Sequence, residues 1–350
     1  MSHCRLNRRA ALAAMAAGTV ATHQLLASSQ SATASAFTSW ASTALGVAAA
    51  SQTQASATQS TVRPKLALNT STIRGQKLSV SEQISVTAKA GYDGIEPWIR
   101  DLREHAEKHG SVRDLKQQLS DVGLDVSGAI GFAKWIVDDA SQRSEGLDEA
   151  KRDMEMVREL GGRYMAAPPV GAHRAQDIAA SGPPTLPMIA ERYAELLQVG
   201  KSVGVTPLLE LWGFSPVLSR LAELAYVSTA SEQPNAAVLP DFYHIYKGGN
   251  DFTGLGMIEA SRMPLFHIND YPDVPVAQIG DKDRVFPGDG VCPLVDTVAM
   301  LLKHGFTGTF SLELFNRDYW QRPAQEVANE GQRKCAAIVD AAIQSVESEA

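Results

Sequence analysis

The sequence predicts an α/β protein, a single-domain (β/α)8 TIM barrel, on three observations. From Lys65 onward the apolar spacing switches repeatedly between a strand period and a helix period. Eight strand-like runs, each followed by a helix-like run, fit into roughly 285 residues. The strand runs are rich in Leu, Val and Ile, as expected of parallel strands covered by helices. A doubly wound open sheet is the alternative, but no G-x-G-x-x-G or Walker A run supports it.

The units follow in order. LALNT (66–70) precedes LSVSEQISVTAKAG, a helix with Gly91 at its C-cap. YDGIEPW (92–98) precedes VRDLKQQLSDVG (112–123), again closed by glycine, and LDVSGAI (124–130) precedes SEGLDEAKRDMEMVRELGG. RYMAAPP (163–169) leads to LPMIAERYAELLQVGKSVG, and TPLLELW (206–212) to SPVLSRLAELAYV. AAVLPDF (236–242) runs into a glycine-rich loop and a short helix near 253–260. PLFHIND (264–270) is followed by a long loop, where Gly288-Asp289-Gly290 reads as punctuation, and by CPLVDTVAMLLKHG (292–305). GTFSLELF (308–315) and AQEVANEGQRKCAAIVDAAIQSV complete the series.

Upstream of the barrel (63–350) the composition changes. Residues 1–36 carry Arg5, Arg8 and Arg9, no acid, an apolar run from Ala10 to Leu26, and Ala-x-Ala cleavage options. Together these make an export signal, and the Arg8-Arg9 pair resembles the twin-arginine type, which implies an exported, periplasmic or cell-envelope location. Residues 37–62 are Ser/Thr/Ala/Gln-rich and read as a flexible linker. Signal removal takes three arginines and no acid, moving the formal net charge from −7 to −10. Such a surface repels phosphate backbones, which argues against nucleic acid as the main partner. No later run is long and apolar enough for stable membrane insertion. Cys292 and Cys335 remain, too few for a disulfide framework, and no C-x-x-C knuckle is present. The composition is compatible with a homo-oligomer.

Active sites of such barrels lie at the C-terminal ends of the strands. Four successive strands carry a metal-type ligand there: Glu210 in LLELWG, Asp241 in LPDFYH, His267 in LFHIND and Glu313 in SLELFN. A carboxylate between leucines on a buried strand is costly unless paired, protonated or coordinated. No Lys or Arg lies in those strand segments, so a shared cation is the economical reading. Three carboxylates and an imidazole suit one divalent metal ion, Mn2+, Mg2+, Co2+ or Zn2+. Asp241 and His244 converge only if the strand stops near Asp241 and the chain bends.

With those residues in view, the chain resembles the xylose isomerase-like barrel superfamily, the sugar-phosphate isomerase/epimerase group that includes the AP endonuclease family. NTSTIRG, GYDGIEPW, LELWG, DFYHIYKGG, FHINDYP, RVFPGDG and SLELF carry the resemblance, from about Lys65 to Val346. It implies that Glu210, Asp241, His267 and Glu313 bind one divalent metal, and that His244 and Arg284 contact substrate oxygens. Members often carry a further acid just past the strand-five Glu; here WGFSP has none before Glu223.

A dication gripping two oxygens of a hydroxy-ketone acidifies the C–H between them and holds the enediolate planar. Proton transfer then needs carboxylates near that carbon, for which Glu210 and Glu313 are the pair. Epimerisation and aldose–ketose isomerisation follow from proton return; dehydration or cleavage of a 3-keto-glycoside follows if a β-oxygen leaves. Export favours a non-phosphorylated sugar, a sugar-like polyol or a keto-glycoside as the carbohydrate substrate. Glu96 either enters the pocket or pairs with Arg100. Trp98, Trp135 and Trp212 are candidate aromatic walls, Lys247 a candidate contact to a substrate oxygen, and Asp270 a candidate partner orienting His267. His105, His109, His173 and His304 read as surface residues. A DNA-repair endonuclease would need a basic groove and more histidines; a non-catalytic sugar-binding barrel would not need four ligands.

Overall fold

The computed structural model describes residues 62–178 and 182–349. The export-signal and linker expectations, but for Val62, lie outside the described residues. Eight parallel strands alternate with helices among those residues: β1 (Lys65–Asn69), α1 (Val80–Lys89), β2 (Gly94–Glu96), α2 (Ile99–His109), α3 (Arg113–Val122), β3 (Asp125–Val126) and α4 (Ala140–Leu160) form the first part. Then come β4 (Tyr164–Ala167), α5 (Leu186–Val203), β5 (Thr206–Glu210), α6 (Leu221–Ala230), β6 (Val238–Leu239), α7 (Phe242–Lys247), β7 (Leu265–Ile268), α8 (Leu294–Lys303), β8 (Thr309–Leu312) and α9 (Ala324–Glu349).

Hydrogen bonding orders the strands β3-β2-β1-β8-β7 and β4-β5-β6. Single parallel bridges, Ile130 to Ala166 and Asp241 to His267, close the two seams, so the sheet is the expected barrel. The chain places two helices between β2 and β3 where the periodicity suggested one, because the polar run IRDLREHAEKH winds into α2 before Gly110 ends it. The helix expected near 253–260 is replaced by α7, starting directly at Asp241, and by 3-10 turns at Phe252–Met257 and Ala260–Arg262.

Two apolar layers result. Leu66, Leu68, Leu209, Val238, Phe266 and Phe310 face outward and pack against the helices. Ile130, Ala166, Leu208, Leu239 and Leu265 fill the barrel interior. Because strand side chains alternate, the residue two positions after each interior plug points into the same lumen, one layer nearer the C-terminal face. Leu208 is followed by Glu210, Leu239 by Asp241, and Leu265 by His267. The same alternation brings Asn69, Glu96 and Glu313 to that layer. Cys292 and Cys335 are both free thiols, and no described helix is long and apolar enough to cross a membrane.

Candidate metal centre

The inner layer is fully buried: Asp241, His267, Glu96 and Asn69 have no exposed surface, and Glu210 and Glu313 are nearly as buried. His267 Nδ1 lies 3.3 Å from Glu313 Oε2, 3.6 Å from Asp241 Oδ2 and 3.9 Å from Glu210 Oε1. Ligand atoms of Asp241, His267 and Glu313 all fall within 4.8 Å of one another. Three buried polar atoms here lack a hydrogen-bond partner: Glu210 Oε2 and His267 Nδ1 in this layer, and Nε of the neighbouring Arg284. Buried polar atoms are rarely left unpaired. Orphaned donor atoms beside two further carboxylates are what a divalent cation would satisfy, so the residues fit one.

The surroundings hold the four side chains from behind. Glu96 sits 3.2 Å from His267 Nε2, and its Oε2 also accepts from Ser311 Oγ (2.7 Å) and Asn69 Nδ2 (2.9 Å). It therefore lies in the lumen and does not pair with Arg100, which binds Asp101. Asn69 Nδ2 reaches Glu313 Oε1 as well, while its Oδ1 accepts from Trp98 Nε1. Asp241 caps α7: its Oδ1 accepts from the His244 backbone N–H at 2.8 Å. Its Oδ2 accepts from Asn269 Nδ2 and from Arg284 Nη1.

Arg284 corrects the expectation that no basic residue pairs with these acids. It comes from the loop after β7 rather than from a strand, and Nη1 bridges Asp241 (2.8 Å) and Glu313 (2.9 Å). Nη2 contacts Asp281 and His244 Nε2. Its guanidinium carbon lies 4.4 Å from the Tyr243 ring centre and 5.0 Å from that of Phe315. Each carboxylate oxygen has more than one lone pair, so such pairing does not preclude a second cation.

Charge states follow from these contacts. Burial pushes the Glu210 carboxyl up to about 8 against the opposing pull of His267, and pushes Glu313 up to about 7. Burial also acts to raise Asp241, but Arg284 and His244 outweigh it and hold that carboxyl well below the usual range. Burial opposes protonation of His267, yet Glu313 and Glu96 overcome it and raise it well above an ordinary imidazole. Burial lowers His244 to about 4, leaving it neutral at pH 7.

Above this layer opens a cavity of about 390 Å³, lined by Glu210, Glu313, His244, Arg284, Arg74 and a set of rings. Trp98 and Trp212 are among the rings, as expected, joined by Phe132, Phe214, Phe315 and Trp320. Trp135 is not: it is buried beneath, with Nε1 donating to Pro168 O and its ring beside Tyr193. Lys247 is also diverted. Lying at the end of α7, it donates to the carbonyls of Val276 and Ile279, both at 2.7 Å. Asp270 does not touch His267; it accepts from the backbone N–H groups of Tyr271, Gly288, Gly290 and Cys292, anchoring the loop that carries Arg284. The glycines of that loop are therefore more than punctuation: a Cβ on Gly290 would lie 2.2 Å from Tyr271 O.

Of the remaining histidines, His109 and His304 are exposed. His105 is buried against Asp114, because amphipathic α2 turns it toward the core. His173 stands edge-on to Trp212, with ring centres 5.3 Å apart, which leaves it half-buried instead of at the surface.

The barrel is similar to known proteins over most of its length. The family model described as xylose isomerase-like TIM barrel matches residues 84–338. An inosose isomerase from Bacillus velezensis is 27% identical over 280 residues, covering 79% of this chain and 97% of that protein. A 3-dehydroshikimate dehydratase from Pseudomonas aeruginosa is 24% identical over 257 residues, covering 73% of this chain and 39% of that protein. Among solved structures, the IOLI protein with a bound zinc atom superposes with a TM-score of 0.72 at 24% identity, covering 79% of this chain and 98% of that one.

Proposed function

The chain belongs to the xylose isomerase-like TIM barrel family, and from that premise we propose a metal-dependent isomerase or epimerase that moves a proton next to a carbonyl. The observation that carries this reading is the pair of orphaned donors, Glu210 Oε2 and His267 Nδ1, facing Asp241 and Glu313 under an aromatic-walled cavity. The substrate we propose is a non-phosphorylated sugar or sugar-like polyol carrying a ketone, a class that the name of the Bacillus relative, inosose isomerase, supports.

Glu210, Asp241, His267 and Glu313 would hold the ion. When bound, a dication supplies Lewis acidity that makes a C–H beside a ketone easier to deprotonate. Glu210 reaches the cavity with one oxygen free of hydrogen bonds, and so is the base we assign to proton removal. Glu313, fixed by Asn69 and Arg284, faces the cavity from β8 and returns the proton. Return to the opposite face inverts the centre; return to the neighbouring carbon converts ketose and aldose. His244, neutral at pH 7 and held against Arg284, orients that guanidinium and does not act as an acid. Trp98 and Trp212 flank the ring faces of the substrate and exclude water.

The runner-up is a dehydratase using the same base, and the match to the Pseudomonas dehydratase supports keeping it. Export, read from residues 1–36, remains part of the proposal, with cell fractionation as its test.

The test uses protein loaded with Mn2+, Mg2+, Co2+ or Zn2+ and incubated with inosose and other keto-polyols in deuterium oxide. Solvent deuterium at the carbon beside the carbonyl supports the reading, and retention of the carbon–oxygen skeleton separates isomerase from dehydratase. Glu210→Gln should slow exchange by about 10²–10⁴-fold. Exchange undiminished in that variant, or turnover of phosphosugars alone, overturns it.

A further inference from the structure

Three guanidinium groups line the cavity; Arg317 is exposed, and the surroundings of the other two are opposite. Arg284 is enclosed by Asp241, Glu313, Asp281 and His244. Arg74, on the 3-10 turn directly after β1, is half-buried and has no hydrogen-bond or ion-pair partner for its side chain among the described residues. The acids that influence it are engaged elsewhere: Asp101 with Arg100, and Glu313 with Arg284 and Asn69.

Aromatic rings surround this group. Its central carbon lies 4.8 Å from the ring centre of Trp98, 5.2 Å from that of Trp320 and 5.6 Å from that of Phe315. All three rings line the cavity beside it. Ring contacts account for the position of the cation but leave its N–H groups without hydrogen-bond acceptors, since a π-face accepts no fork of hydrogen bonds. In a chain with 39 acids and 32 bases, a half-buried cation without a carboxylate is an imbalance, since removing a charge from water costs free energy that an ion pair offsets.

We propose that Arg74 receives a carboxylate of the substrate, so that the natural substrate is an acidic keto-polyol. This deepens the proposed function and rests on it for the orientation: the ketone over Glu210 and Glu313, the carboxylate toward β1. The planar fork of a guanidinium matches two carboxylate oxygens, and the apolar walls strengthen the pair. A single cation at this depth matches a monoanion better than a phosphate dianion. Lys282, which also lines the cavity, is already paired with Asp283, and Arg317 is exposed at its mouth.

Binding to the metal-loaded protein tests this without turnover. Quinate and myo-inositol are polyhydroxylated cyclohexanes, one with a carboxylate and one without, and calorimetric titration compares them. The expected result is quinate binding at least about tenfold tighter, with the gap abolished in Arg74→Met and kept in Arg317→Met; charge-assisted pairs reach this size. Equal affinities, no quinate binding, a gap that survives Arg74→Met, or inositol monophosphate binding more tightly than quinate overturns the proposal. Unchanged melting curves for Arg74→Met confirm that the loss is local. Failure of the proton-transfer reading shows separately, as no deuterium exchange while the quinate–inositol gap persists.

Discussion

His267 Nε2 lies 3.2 Å from Glu96 Oε2, with both side chains wholly buried, and this contact decides which imidazole nitrogen faces the cavity floor. A carboxylate at Nε2 calls for a proton there, which leaves the Nδ1 lone pair for a cation. Glu96→Gln should therefore weaken divalent-metal affinity by about 10–100-fold, the usual effect of removing such a partner. Competition titration against a fluorescent chelator measures it. Unaltered affinity would show that Glu96 only fills the lumen.

The pH dependence has a definite sign. Glu210 and Glu313 are raised to about 8 and about 7 by burial, and His267 is raised by its carboxylate neighbours. Groups raised in the folded state contribute stability that is full below their unfolded values and is lost as pH climbs through the folded ones. Asp241 is lowered, so its contribution vanishes only in acid, below this window. The metal-free protein should thus lose melting temperature as pH rises from about 4.5, where the unfolded carboxyls ionise, to about 8. A dication must displace those protons, so the metal-induced rise in melting temperature should grow over the same interval. A metal effect that is flat or shrinks with pH contradicts the assignment.

Asp270 gathers four backbone N–H groups at 2.8–3.0 Å. Asp270→Asn replaces one accepting oxygen with a donor and strands part of that set. The expected cost is about 3 kcal/mol, given what buried unsatisfied donors cost. Urea denaturation reads the loss. Because the same loop positions Arg284, kcat/KM should fall while metal content by elemental analysis stays constant. Loss of metal instead would place the effect on the ligands themselves.

Gly213 crosses α7 so closely that a Cβ there would lie 2.2 Å from His244 O and 2.5 Å from Gly248 N. Both are backbone atoms and cannot rotate away. Gly213→Ala should push α7 off the β5 loop and cost roughly 1–3 kcal/mol, as overpacking does. It should also lower metal affinity, since α7 begins at Asp241. Thermal melts and metal titration would both have to be unaffected for this to fail.

The ligand-bearing strand ends were legible because strand periodicity and one polar residue per end suffice to find them. What escaped needed the third dimension. Asn69 occupies the same place on β1 as Glu210 does on β5, but an uncharged amide attracts no notice in sequence. Glu96 gains its role only when β2 and β7 face each other across the lumen. For Asp270 the signal was present and misread: His267 and Asn269 share a face of the strand, and Asp270 lies on the other. The sequence makes Lys247 a candidate substrate contact, whereas α7 turns it toward the carbonyls of Val276 and Ile279. Arg284 was found through the resemblance, and its pairing with Asp241 depends on a loop path that no periodicity encodes.

The aspartate that opens α7 contributes one oxygen to its first turn and turns the other toward the inner cluster. Winding of that helix and capture of a cation therefore share a single side chain. The amide of His244 should exchange slowly with solvent only while the cluster is filled, making that one N–H a reporter of occupancy. Departure of the ion would then fray a short segment that also bears a wall of the cavity, so residence times of cation and substrate should lengthen together.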